Sequence, residues 1–245
     1  MSVDKNTMKF GVTEAGDAGI NFEWLDNLQP ANIIITKQLT INNTRLINGL
    51  LDNKDRIILH CTCTGYGGTE MERNVPNPSE IHTGIEELIK MGFPTSQIVL
   101  RTDPIIPTKK GIEKAEYVWR LFSDTGITRC RFSIIDLYPH AKERIIKCFH
   151  KLPFNTFKAP QEMINNLLIH IKYFEHIYQF ESCAENTPYQ LGCISQKDLD
   201  ILGIDYQSEV GGFQRRGCLC IAGKTELLRN RKRCPSQCLY CYWKD

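Results

Sequence analysis

Short apolar runs alternate with longer amphipathic segments through the first two-thirds of the chain, and this alternation limits the possible folds more than any other feature. Strands are expected at 8–13, 32–36, 56–64, 97–102, 129–135 and 178–183, with helices at 22–28, 44–51, 79–91, 110–125 and 159–175. Segment 44–51 places Leu46, Ile47, Leu50 and Leu51 at helical spacing, and 79–91 does the same with Ile81, Ile85, Leu88 and Ile89. Strands joined through helices pair in parallel, with right-handed crossovers. Six such units in about 190 residues predict an α/β fold, a partial or closed (β/α) barrel of about six parallel strands. A doubly wound open sheet is the competitor. No G-x-G-x-x-G follows a strand, so its dinucleotide-binding form has no support.

The expected strand exits are polar. They read Thr13-Glu14-Ala15-Gly16-Asp17, Thr36-Lys37, Thr62-Cys63-Thr64-Gly65-Tyr66-Gly67-Gly68, Arg101-Thr102-Asp103-Pro104 and Ser133 to Asp136. Active sites of α/β barrels lie at the C-terminal strand ends, so a ligand is expected there. A length of 245 residues suits one large domain or one domain with an appendage, and 42% hydrophobic residues can build a core. A net charge of +2 excludes a polycation but not a local basic patch. No run reaches the roughly 18 apolar residues of a membrane span, and residues 1–7 carry no apolar signal core. The expectation is a cytoplasmic protein without a membrane segment.

The cysteines narrow the chemistry. Seven of the 11 fall between Cys183 and Cys241, and thiols clustered in a reducing compartment point to metal binding. Residues 1–185 are expected to form the barrel. Residues 186–245 are expected to form a Cys-rich tail over its mouth, as one structural unit. Cys234-Pro-Ser-Gln-Cys238-Leu-Tyr-Cys241 is C-x3-C-x2-C. Three thiolates at this spacing suit a 4Fe–4S cluster with one iron left open.

This triad, with Tyr240 before its last cysteine and Tyr242 after it, resembles the cluster loop of radical S-adenosylmethionine enzymes. Its place four residues from the end of the sequence resembles an uncharacterised bacterial and phage domain family, distantly similar to spore photoproduct lyase. Ile35-Thr36-Lys37, Arg101-Thr102-Asp103-Pro104-Ile105, Cys183-Ala184-Glu185, Gln214-Arg215 and Cys218-Leu219-Cys220 carry the same resemblance. It implies a circularly permuted barrel in which the usual first strand has moved to the end. It also implies S-adenosylmethionine on the open iron, a 5′-deoxyadenosyl radical that abstracts hydrogen, and an electron donor such as flavodoxin or ferredoxin. Asp17, with Glu14 second, would take the methionine ammonium; Lys37 would take the carboxylate or lie as a solvated strand end, and Tyr240 would lie against the adenine. A nucleobase or nucleic acid is the substrate class the lyase-like resemblance suggests.

Cys183, Cys193, Cys218 and Cys220 remain open between an auxiliary 4Fe–4S cluster, a structural zinc and plain buried thiols. Cys61, Cys130 and Cys148 read as core. Cys63, Tyr66 and Asp103 are catalytic candidates. Arg101 and Ser133 are candidates for cofactor binding, while Arg101 with Asp103 also fits a structural ion pair. The basic run 229–233, with Arg215 and Arg216, could grip phosphates or lie solvated. The six histidines, His60 and His140 among them, share no ligand spacing. A zinc-binding, non-catalytic nucleic-acid module built from Cys218, Cys220, Cys234, Cys238 and Cys241 is the alternative. A barrel hydrolase is the third reading.

Overall fold

The computed structural model describes residues 8–211, 217–229 and 233–244. Its strands are β1 (Phe10–Val12), β2 (Ala31–Thr36), β3 (Ile57–Thr62), β4 (Ile98–Ile105), β5 (Arg129–Ile134), β6 (Gln179–Ser182) and β7 (Lys224–Glu226). They form one seven-stranded sheet in the order β6-β5-β4-β3-β2-β1-β7, and every neighbouring pair is parallel. β6 and β7 are its two edges, so the sheet is open and a closed barrel is not observed.

The helices are α1 (Thr44–Asp52), α2 (Pro78–Lys90), α3 (Lys109–Leu121), α4 (Pro139–Phe149), α5 (Gln161–Tyr173) and α6 (Gln196–Ile201). None is long and apolar enough to cross a membrane among the described residues. Local signals set their starts. Asn77 caps α2 in a reciprocal box with Glu80, and Pro78 takes the first turn. Asn43 and Thr108 cap α1 and α3 through side-chain acceptors.

Alternation along the strands sorts the residues onto two faces. Ile34, Leu59, Leu100 and Phe132 meet Leu46 and Leu50 of α1, Ile85 of α2, Trp119 of α3, Ile145 of α4 and Ile171 of α5 in one core. The opposite face presents Ile33, Ile58 and Val99 to Ile194, Leu199 and Ile221, with four cysteines among them. Helices α1 to α5, which connect successive strands from β2 to β6, therefore share one face, while α6 packs on the other. Successive strands β1 to β6 are neighbours without the switch point of a doubly wound sheet. Each fully buried Ile, Leu or Phe contributes roughly 1.5–3 kcal/mol.

Sequence pattern missed three elements. β7 is Lys-Thr-Glu, with no apolar residue, and exists because its backbone pairs with β1 in the register Phe10↔Lys224 to Val12↔Glu226. It makes seven strands where about six were expected, one of them supplied by the tail. α4 buries only Ala141 and Ile145, and α6 is six residues long, too short for a helical period to show.

Candidate functional site

Because every strand is parallel, all C-terminal ends reach the same rim, and a cavity of about 430 Å³ opens there. Glu14 and Asp17 follow β1, Lys37 follows β2, Arg101 and Asp103 lie on β4, and Ser133 lies on β5; all six line the cavity. The tail adds Cys193, Cys218, Cys234, Cys238, Tyr240 and Cys241, and the exit of β6 adds Cys183.

The triad loop is pinned from several directions. Leu239 N–H donates to Met71 O at 3.0 Å, and Asn74 Nδ2 to Pro235 O at 2.9 Å. Arg144 on α4 donates to the carbonyls of Cys241 and Trp243, both at 2.8 Å. Tyr242 Oη donates to Glu14 O at 3.0 Å, tying the tail to the exit of β1. Burial raises the Cys238 thiol above its ordinary value while the Lys37 ammonium pulls it back. Burial also raises Cys241.

Lys37 Nζ donates to Glu72 Oε1 and to Tyr240 Oη, each at 2.9 Å. Tyr240 Oη donates to the same Glu72 oxygen, and Thr64 Oγ1 donates to Glu72 Oε2 at 2.7 Å. Burial opposes the Lys37 charge, but Glu72 and Cys238 outweigh it and keep the ammonium protonated. An ammonium has three N–H donors, and these bonds account for two of them. Sequence reasoning missed Glu72 because it sits in the Gly-rich loop after β3, where no periodicity marks a residue. Gly65 and Gly68 have φ of 83° and 75° in that loop, a left-handed conformation that glycine adopts without steric cost.

Asp17 serves as a brace. Its Oδ1 accepts from Thr36 Oγ1 and Gly19 N–H, and its Oδ2 from Lys37 N–H. Burial raises its pKa against these bonds. Glu14 pairs instead with Lys224 Nζ at 2.6 Å, and burial raises its pKa too. Arg101 Nε donates to Asp103 Oδ2 at 2.7 Å, and Ser133 Oγ donates to Asp103 Oδ1. Burial would raise Asp103, but Arg101 and Ser133 hold its carboxyl below the usual range. The structural pairing of Arg101 with Asp103 is thus present at the rim.

Two catalytic candidates lie elsewhere. Cys63 and Tyr66 pack with the helix-side core and do not line the cavity. Burial raises each to about 12, so both are protonated at neutral pH. Cys61 and Cys130 are buried in that same core, whereas Cys148 on α4 is half-buried. His60 is buried on β3 and His140 Nε2 contacts Tyr242 O, so the two are not brought together. Arg215, Arg216 and residues 230–232 lie outside the described residues, as does Gln214.

Cys183, Cys193, Cys218 and Cys220 converge from three stretches of chain. Cys183 Sγ and Cys193 Sγ stand 3.0 Å apart, as do Cys218 Sγ and Cys220 Sγ. Cys193 N–H donates to Cys220 Sγ at 3.2 Å. Hydrogen bonding with Cys183 and Cys220 pulls the Cys218 thiol well down. Cys218 and Cys220 pack with Cys183 and Cys193, and Cys238 packs with the helix-side core; of the five cysteines of the zinc alternative, Cys218, Cys234, Cys238 and Cys241 line the cavity. These are contact separations. Tetrahedral zinc with Zn–S of about 2.3 Å would set its sulfurs roughly 3.8 Å apart, and no three His, Cys, Asp or Glu side chains stand at metal-holding positions among the described residues. The donor set nevertheless fits a soft metal or an iron–sulfur group: all 11 cysteines are free of disulfides, and six of the seven from Cys183 onward line one cavity.

Tyr138, before α4, joins Tyr242 and Trp243 at the cavity, with ring centroids 6.5 Å apart for Tyr138–Tyr242 and 5.2 Å for Tyr242–Trp243. Tyr138, Arg144 and Lys224 also escaped sequence reasoning, since none sits in a motif.

Fold and site define an α/β protein with a thiol-rich cavity at the C-terminal edge of an open parallel sheet. The chain belongs to a family described as a domain of unknown function, DUF1848, whose model matches residues 27–243. No curated protein matches it.

Proposed function

We propose that the protein is a radical S-adenosylmethionine enzyme built on a circularly permuted partial barrel. The observation that carries this reading is the placement of the triad: β7 joins the sheet parallel to β1, and the chain leaving β7 runs to Cys234, Cys238 and Cys241 at the cavity. With β7 taken as the displaced first strand, the cysteine loop follows that strand as in the superfamily it resembles. The three thiols would hold a 4Fe–4S cluster, and the Cys183, Cys193, Cys218 and Cys220 group an auxiliary one. When bound, the triad cluster supplies an open iron for S-adenosylmethionine and the electron that releases a 5′-deoxyadenosyl radical; flavodoxin or ferredoxin is the kind of donor that would reduce it.

The chain's own residues bind and shield. Lys37 offers its remaining N–H to the methionine carboxylate, in a charge-assisted contact. Glu14 is better placed than Asp17 to receive the ammonium, because three hydrogen bonds commit Asp17 to bracing β2. Ser133 and Arg101 fix the Asp103 carboxylate at the cavity. Tyr138, Tyr242 and Trp243 present aromatic surface that excludes water and suits a planar substrate such as a nucleobase. Tyr240 is held by Glu72 and Lys37 at the cavity wall, where its ring would lie against the adenine.

The test is release of 5′-deoxyadenosine from S-adenosylmethionine by anaerobically reconstituted, reduced protein. Turnover that falls to background in Cys238→Ala supports the reading. Iron-loaded protein that releases none overturns it.

A further inference from the structure

Three cations, Arg131 buried and Arg101 and Lys224 half-buried, lie near the four-cysteine group, and a carboxylate holds each. Arg101 is held by Asp103 at 2.7 Å, Arg131 by Glu181 at 2.6 Å and Lys224 by Glu14 at 2.6 Å. They come from β4, β5 and β7, and all three interact electrostatically with Cys193. Lys224 contacts a sulfur of the group. Its side chain is 6% exposed, and its Nζ lies 3.8 Å from Cys220 Sγ. Its ammonium thus lies between a carboxylate of the cavity wall and a sulfur of the group. A carboxylate that orients a donor toward a metal ligand is the usual outer shell of a metal site.

We infer that Lys224, fixed by Glu14, is a positioning residue that donates an N–H···S hydrogen bond to Cys220 and raises the reduction potential of the iron–sulfur group on Cys183, Cys193, Cys218 and Cys220. This rests on the auxiliary-cluster reading of those cysteines. The physical basis is charge. Reduction adds an electron to an already anionic iron–thiolate group, and net charge and hydrogen bonds to sulfur set its potential. A nearby ammonium stabilises the reduced form. Glu14 partly cancels that effect, so the two residues act with opposite sign. The pair also joins the exit of β1 to the group, since Glu14 lines the cavity and Lys224 opens β7.

The experiment uses the full chain carrying Cys234→Ala, Cys238→Ala and Cys241→Ala, reconstituted anaerobically so that only the four-cysteine group is loaded. Iron content and a redox titration followed by electron paramagnetic resonance are the readouts. About four irons per chain are expected for one such cluster. Lys224→Met shifts the midpoint to more negative potential, Lys224→Arg restores it in part, and Glu14→Gln shifts it to more positive potential. A purely structural role gives no such pair of opposite shifts. Iron retained with the midpoint unmoved in both Lys224→Met and Glu14→Gln overturns the inference alone. If Lys224→Met loses its iron, Glu14→Gln decides by the sign of its shift. No iron in the parent overturns the auxiliary-cluster reading and the inference with it.

Discussion

Glu72 shows how one side chain can organise a site. Its carboxylate is buried, and it receives Lys37, Tyr240 and Thr64 at once. Removing one partner of a buried ion pair leaves the other charge stranded, which costs about 3–5 kcal/mol. Glu72→Ala is therefore expected to lower unfolding stability by that amount in urea titrations. Tyr240→Phe is expected to cost about 1.5–3 kcal/mol, the range for a hydrogen bond to a charged group. Because both act on one network, the double variant should cost clearly less than the two single costs added; simple additivity would refute the shared network. At this scale the sequence was legible where chemistry sits in a spaced motif, as with Cys234, Cys238 and Cys241. It was illegible for Glu72, which meets Lys37 from 35 residues away and Tyr240 from 168, and for Lys224, which meets Glu14 from near the other end of the chain, so that only folding creates these pairings.

Between elements, a buried ionic ladder ties β5 to β6 and to α6. The parallel register sets Arg131 opposite Glu181. Arg129 reaches both Glu181 at 2.9 Å and Asp198 of α6 at 2.9 Å. Burial works to raise the Glu181 carboxyl, but Arg131 and Arg129 outweigh it and hold it down to about 2, from an ordinary 4.5. The folded-state value is depressed, so the stability Glu181 contributes is present above pH 4.5. It is lost as the pH falls from 4.5 towards 2. Glu181→Gln should flatten the acid limb of stability over that window and cost about 3–5 kcal/mol at neutral pH. Chemical denaturation across pH checks both; an unchanged acid limb would count against the ladder. Glu226 performs the matching task at the other edge. Its Oε2 accepts from the N–H groups of Glu14 and Ala15, both at 2.9 Å, which fastens β7 to the exit of β1. Strands with apolar alternation could be read from sequence to within a few residues. β7 could not, because its stability comes from backbone pairing and from Glu226, not from side-chain burial.

Across the whole molecule, the parallel sheet turns seven separate strand exits into one rim, and cysteines of the tail line the cavity there. The α/β class and the polar exits were readable because helical and strand periods alternate. Closure was not readable: periodicity gives the pairing sense and neighbour order, while the open edges at β6 and β7 depend on curvature that no local pattern records. The central claim is that the three-cysteine loop holds a cluster with one iron free for S-adenosylmethionine. Electron paramagnetic resonance of the anaerobically reconstituted, reduced chain, with and without S-adenosylmethionine, tests it most directly. The account predicts a reduced-cluster signal that changes when S-adenosylmethionine is added, with the responsive component lost in Cys238→Ala. An iron-free, zinc-loaded chain with no signal, or a cluster signal indifferent to S-adenosylmethionine, would contradict it.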